Sequence, residues 1–238
     1  MGGKISRAAT SHTERMSPAP RPPGMNAITT ERQEWANVWT HTPGIILSLV
    51  GLNHLWAQAR IQGTVWHAGG ATLFGGALVL VYVASTAYHL TAAGPLKHWL
   101  KKLDHVGIYF LIAGTYSPFL LLNLRHDGGP TLLGVIWLLA LGGMAWKVVC
   151  ADCAPRVSTG TFIVLGWGIL VIIGRLDAAM PEGGIHWLLA GGAAYSIGVI
   201  FYLWHRVPYH HAIWHIFVLA GSACHWVAVS HYSLVCLV

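Results

Sequence analysis

Near its C-terminal end the chain reads HHAIWHIF over residues 210–217, placing His211 and His215 four positions apart in an otherwise apolar run. On an α-helix, positions i and i+4 differ by about 40° in azimuth, so both imidazoles leave one face and can reach one ion. An ionisable side chain at the centre of a membrane span costs on the order of 3 kcal/mol, so such residues in a span point to a use. For neutral imidazoles that use is metal ligation. The pair alone is a weak motif in a chain with 15 His, and a third ligand has to come from another segment.

Other residues could complete such a site. Ser85 and His89 stand four apart and share a helical face, as do Glu34, Asn37 and His41. Asp104 is the one acidic residue inside an expected span. Each also has a plainer reading. Asp104 could cap a helix, where a carboxylate satisfies free amides. Ser85 could be a small packing residue between helices, and Glu34, Asn37 and His41 could form a polar stripe at the membrane interface. His225, higher on the helix of His211, reads as a hydrogen-bonded interior histidine rather than a ligand. Cys150 and Cys153 form a lone CxxC, read as reduced thiols rather than a zinc knuckle.

The elements that must position these residues follow from composition. Of 238 residues, 55% are hydrophobic and 9% charged, too few charges to cover a soluble globule of this size. Apolar runs of near-helical span length and the lack of strand-like alternation make the fold class all-α, an integral membrane bundle of seven transmembrane helices. The spans fall at roughly 42–58, 66–90, 104–124, 131–149, 157–174, 184–204 and 209–234. Pro118 should kink the third, and Pro208 fits the first turn of the seventh. Residues 1–30 carry SPAPRPPG and read as a disordered tail ahead of a membrane domain at 31–238. A Thr30/Gln33 capping box marks the start of the first helix. No apolar segment precedes residue 42, so the first span is expected to direct insertion.

The formal net charge of +6 reflects topology, and nucleic acid is not an expected partner. Arg32, Lys97, Lys101, Lys102, Lys147, Arg156 and Arg206 fall in alternate segments, against Arg60, Arg125 and Arg175 in the others. The positive-inside rule then places the N-terminus in the cytoplasm. With that topology, His89 ends the second span, Asp104 opens the third, and His211 and His215 begin the seventh, all at one inner depth.

Glu34-x-x-Asn37-x-Trp39-Thr40-His41, Ser85-x-x-x-His89, Asp104-x-x-Gly107 and His211-x-x-x-His215 occur in this order at the ends of spans one, two, three and seven. Together they resemble the haemolysin III family, within the progestin and adiponectin receptor superfamily, over about residues 31–234. The resemblance implies a seven-helix bundle in the plasma (inner) membrane. It implies a Zn²⁺ cofactor near the cytoplasmic side, held by His89, His211 and His215, with Asp104 beside the water that the ion activates and Ser85 close by. It also implies kinship with membrane hydrolases that include alkaline ceramidases.

On that footing the leading expectation is a zinc-dependent hydrolase of a membrane lipid amide or ester. Asp104 would move the proton and Ser85 would orient water or donate to a developing oxyanion, with Glu34, Asn37 and His41 in supporting or structural roles. The alternatives are a haemolysin or pore former, and a receptor or sensor whose zinc ties helices two and seven. Membrane lipid is the expected partner in the first case, and the sequence leaves the oligomeric state open. Imidazole-rich sites also accept metals other than zinc.

Overall fold

The computed structural model describes residues 23–150 and 155–234, without the side chains of 23–29, 155 and 156, and every regular element among them is a helix. In lipid a helix satisfies its own backbone polar groups, which an open strand cannot do. The elements are α1 (Pro23–Gln62), α2 (Val65–Leu90), α3 (Pro95–Pro118, prolonged by a π-helical turn Phe119–Asn123) and α4 (Gly129–Val149). They continue with α5 (Pro155–Trp167, carried through a 3-10 segment Gly168–Ile172 into Ile173–Ala179), α6 (Gly184–Leu203) and α7 (His210–Tyr232). Six of them, α2 to α7, are long and apolar enough to cross a membrane. The C-terminal half of α1, where the first span is expected, carries Ile46, Leu47 and Val50 exposed on its outer side. The chain is a multi-pass membrane protein.

Several expectations change. The tail assigned to 1–30 lies outside the described residues up to position 22. From Pro23 the backbone is already helical, so Thr30 stands inside α1 and not at its cap. Proline suits a first helical turn because its missing N–H would have no intrahelical partner there. Likewise α3 begins at Pro95, nine residues before Asp104, so Asp104 cannot cap it. Pro118 marks the passage from α-helix to π turn, where its absent donor breaks the regular ladder. Pro208 lies just outside α7, which starts at His210 behind Tyr209 in a left-handed conformation (φ 56°). Cys150 is disulfide-bonded rather than a free thiol. Cys153 lies outside the described residues.

α1 packs along α2, α2 along α3, and α6 along α7, while α7 closes against α1. The α2/α3 seam is held by a close backbone approach. A Cβ on Gly114 would fall 2.7 Å from the Leu73 carbonyl oxygen and 2.8 Å from Ala77 Cβ. Backbone there cannot yield as a side chain would, so Gly114→Ala should force the seam apart at a cost of roughly 1–3 kcal/mol. Gly134 faces open space, and Gly134→Ala should gain only the helix-propensity difference, about 1 kcal/mol. Thermal unfolding in detergent should therefore move the two variants in opposite directions. Equal shifts would mean that the seam tolerates the methyl group.

The antiparallel order brings the α2–α3, α4–α5 and α6–α7 connections, with Lys97, Lys101, Lys102 and Lys147, to one end of the bundle. Lys102 donates from Nζ to the Val148 carbonyl (2.9 Å) and lies over the Trp99 ring (4.6 Å). Trp99, Trp146 and Trp204 are exposed at this end, as befits side chains at a membrane–water interface.

Candidate metal centre

His89 lies in the last turn of α2, His211 and His215 in the first two turns of α7, and the packing of α1 against both helices gathers them. One ligand-capable atom from each ring lies within 4.8 Å of the others. The ring centroids are 5.1 Å (His89–His211), 5.2 Å (His89–His215) and 4.5 Å (His211–His215) apart. His89 and His215 are buried and His211 nearly so. Nε2 of His89 and Nε2 of His211 are buried without a hydrogen-bond partner. Two orphaned imidazole nitrogens beside a third ring suit a metal ion, which would take the lone pairs that nothing else in the protein uses.

The other edges of two of these rings are held from α1. Nδ1 of His89 donates to Glu34 Oε2 at 2.6 Å, and the Asn37 side-chain amide lies 3.3 Å from the same nitrogen. Nδ1 of His215 lies 3.2 Å from the Asn37 carbonyl and 3.1 Å from Thr40 Oγ1, which itself donates to the carbonyls of Ala36 and Asn37. With a proton pledged at Nδ1, the lone pair of each ring falls on Nε2. A carboxylate behind a ligating histidine fixes its tautomer and raises its basicity. Glu34 is further anchored by Lys97, whose Nζ donates to Oε1 at 2.9 Å and to the Thr91 carbonyl at 3.1 Å. Partial burial alone would raise the Glu34 carboxyl's pKa, but the hydrogen bonds and charges of His89 and Lys97 outweigh it and bring the value down to about 2. Glu34 is thus an anion at neutral pH.

Glu34→Gln keeps the shape and removes the charge behind His89. Metal affinity should fall 10–100-fold, read by competition with a chromogenic chelator on the purified protein. An unchanged affinity would reduce Glu34 to a surface ion pair with Lys97.

His41 is 3% exposed and stacks on His215, with ring centroids 3.5 Å apart and planes at 16°. Neither of its ring nitrogens has a partner. The edge of Tyr82 meets it at 5.2 Å, and Tyr82 in turn sits against Gly44, where a Cβ would fall 2.5 Å from the phenol ring.

His211 and His215 of the cluster stand at the head of an apolar cavity of about 150 Å³. Its wall runs on α3 from Asp104 to Phe119, on α6 from Tyr202 to Leu188 and on α7 from His211 to His225. At 1.5 Å per residue each of these stretches is about 21–22 Å long. Ser85 and Asp104 line the same head. The Ser85 hydroxyl is buried and approaches the Asp104 carboxyl without completing a hydrogen bond. Asp104 is 13% exposed, and its Oδ2 lies 3.8 Å from His105 Nδ1.

Comparison with known proteins matches residues 29–226 to the family described as haemolysin-III related. The chain belongs to the haemolysin III family. That span takes in every residue of the centre, from Glu34 to His215. The protein is 41% identical to the hemolysin-3 homolog of Bacillus subtilis (strain 168) over 205 residues, covering 86% of this chain and 96% of the relative. It is 42% identical to hemolysin-3 of Bacillus cereus over 203 residues, 85% of this chain and 93% of the relative. A human protein, monocyte to macrophage differentiation factor, is 28% identical over 205 residues, 83% of each chain.

All eight residues singled out from the sequence of this haemolysin III protein lie at one end of the bundle. Glu34 and Asn37 reach His89, the Asn37 backbone reaches His215, and His41 stacks on it, while Ser85 and Asp104 line the adjoining cavity. Sequence reasoning missed the roles of Thr40 and Lys97. Thr40 lay within the quoted motif, but the i+3 offset from Asn37 shows its hydroxyl meeting a distant imidazole only once α7 is in place. Lys97 was counted for topology alone, and no sequence spacing links it to Glu34.

Proposed function

We propose that this protein is a zinc-dependent hydrolase of membrane lipids, cleaving an amide or ester held at headgroup depth in the cytoplasmic leaflet of the plasma membrane. One observation carries the reading: a three-histidine cluster sets two of its imidazoles, His211 and His215, at the head of an apolar cavity about 21 Å long that a carboxyl and a hydroxyl also line. One leaflet contributes about 15 Å of hydrocarbon, so the cavity is long enough for an acyl chain.

Held by three neutral imidazoles, Zn²⁺ would keep its double charge and an open position, bring the pKa of a water to about 7 and polarise a carbonyl. The chain's own residues supply the rest. An Asp104 carboxylate oxygen accepts the proton that the attacking water loses and delivers it to the leaving nitrogen, so acid and amine are released. Ser85 Oγ, with no partner inside the protein, donates to the oxygen on which negative charge develops. Glu34 and Thr40 hold the imidazoles, and the apolar wall seats the tail.

The test is release of free fatty acid from N-acyl sphingoid lipids by protein reconstituted in vesicles, measured by mass spectrometry alongside conductance in planar bilayers. Acid release that stops on chelation supports the hydrolase. The names of the Bacillus relatives raise a pore reading, but the cavity wall is apolar and would not hold a water column. Zinc-independent conductance without turnover would establish the pore. The ties from α1 to His89 and His215 favour a second reading, a sensor whose zinc is structural, in which chelation melts the bundle and no lipid is consumed.

A further inference from the structure

His225 lies on α7 within about 40° in azimuth of His211 and ten residues beyond His215, which at 1.5 Å per residue is about 15 Å deeper in the bundle than His215. It is 7% exposed and lines the far part of the cavity. Its Nε2 stands 3.0 Å from the Leu188 carbonyl, so Nε2 carries the hydrogen and donates. Gly191 allows that contact, because a Cβ there would run into the Cδ2–Nε2 edge of the ring. That edge is therefore turned to the α6 backbone, and the opposite edge, with Nδ1, is turned away from it. Nδ1 is buried with no hydrogen-bond partner. Tyr195 covers one side of the ring at 5.3 Å, its hydroxyl engaged with Ser222 Oγ at 2.9 Å.

A lone acceptor weighs heavily in such a cavity. An acyl chain leaving the bilayer for an apolar pocket moves from hydrocarbon to hydrocarbon and gains little, since lipid tails are as apolar as leucine. Discrimination among tails then falls to polar contacts. An unsatisfied buried acceptor penalises every occupant that cannot donate to it.

We infer that His225 is a hydrogen-bonding subsite that selects an acyl chain bearing a hydroxyl group, the hydroxyl donating to Nδ1, about a dozen bonds beyond the group held at the histidine cluster. The distance follows from the roughly 15 Å rise and about 1.2 Å per bond of an extended chain. This inference rests on the acyl-chain reading of the cavity proposed above.

The experiment uses full-length protein in detergent, brought to equal zinc content, with stearic acid and 12-hydroxystearic acid competing for binding under native mass spectrometry. Wild type should prefer the 12-hydroxy acid about tenfold, one net hydrogen bond's worth. His225→Leu should bind both acids equally and still bind stearic acid. His225→Gln, which keeps an acceptor, should recover part of the preference, and 2-hydroxystearic acid should show no His225-dependent gain. Should His225→Leu fail to fold, Gly191→Ala displaces the ring with its chemistry intact and should also abolish the preference. Equal binding of both acids by wild type, as when a water already satisfies Nδ1, overturns the subsite and leaves the acyl cavity standing. A preference that survives in His225→Leu overturns it too. Binding of neither acid overturns the acyl reading, and the subsite falls with it.

Discussion

Purified wild-type protein will carry about one zinc ion per chain, and the His211→Ala/His215→Ala double variant will carry none. Two of the three candidate ligands come from one helix, so the double variant leaves a lone imidazole, and chelation is lost. His89→Ala will also release the ion, because it removes the ligand that α2 contributes. The reason lies in the bonding around the rings: Nδ1 of His89 and of His215 is already engaged with α1, Nε2 of His89 and of His211 has no partner, and one ligand-capable atom of each of the three rings lies within 4.8 Å of the others. A bound ion then ties α2 to α7, with α1 held between them. By linkage, an ion at a thousand times its dissociation constant stabilises the fold by about 4 kcal/mol. A strong chelator should accordingly lower the unfolding temperature of wild type and leave that of the double variant where it was. Elemental mass spectrometry and thermal unfolding on the same samples read both quantities. A well-folded wild type that binds no metal on titration would remove the basis for the hydrolase and for the structural-zinc sensor alike.

The bundle and the clustering of the three histidines were legible in the sequence because each depends on short-range rules. Apolar runs of span length and the alternation of Lys and Arg set the number and order of the helices, and the i, i+4 spacing of His211 and His215 put both rings on one face. The depth match of His89 with that pair followed from the antiparallel order alone. What the sequence did not disclose depends on three-dimensional pairing. Glu34, Asn37 and His41 were visible as one face of a helix, yet only the packing of α1 between α2 and α7 shows Glu34 behind His89 and His41 stacked on His215. The cavity was hidden too, since its wall takes single faces from α3, α5, α6 and α7, each of which reads as ordinary apolar membrane helix. Helix starts were misjudged where the chain remains helical outside the apolar run. Hydropathy marks where lipid begins, and both α1 and α3 continue well past that boundary into the interface.

That extension of α3 decides how Asp104 should behave. As a helix cap, Asp104 would contribute about 1 kcal/mol of stability, and its loss would leave turnover unchanged. Lying nine residues inside α3, it has no free first-turn amides to satisfy, yet it is largely buried and lines the same space as His211, His215 and the unpartnered Ser85 hydroxyl. On the proposed hydrolase reading a carboxyl placed there transfers the proton, a role that contributes 10²–10⁴-fold to a rate, or about 2.7–5.4 kcal/mol of barrier. Asp104→Ala and Asp104→Asn should both retain about one zinc per chain and lose turnover of an N-acyl lipid by that factor. Ser85→Ala should retain zinc with a smaller loss, because water can replace a single hydroxyl donor. The informative comparison is Asp104→Asn, since the amide preserves size and hydrogen bonding but cannot accept a proton. Full turnover in that variant at full zinc occupancy would mean that the water's proton leaves by another route, and Asp104 would lose its place in the chemistry. Loss of zinc along with turnover would instead make the carboxyl a fourth tie to the ion.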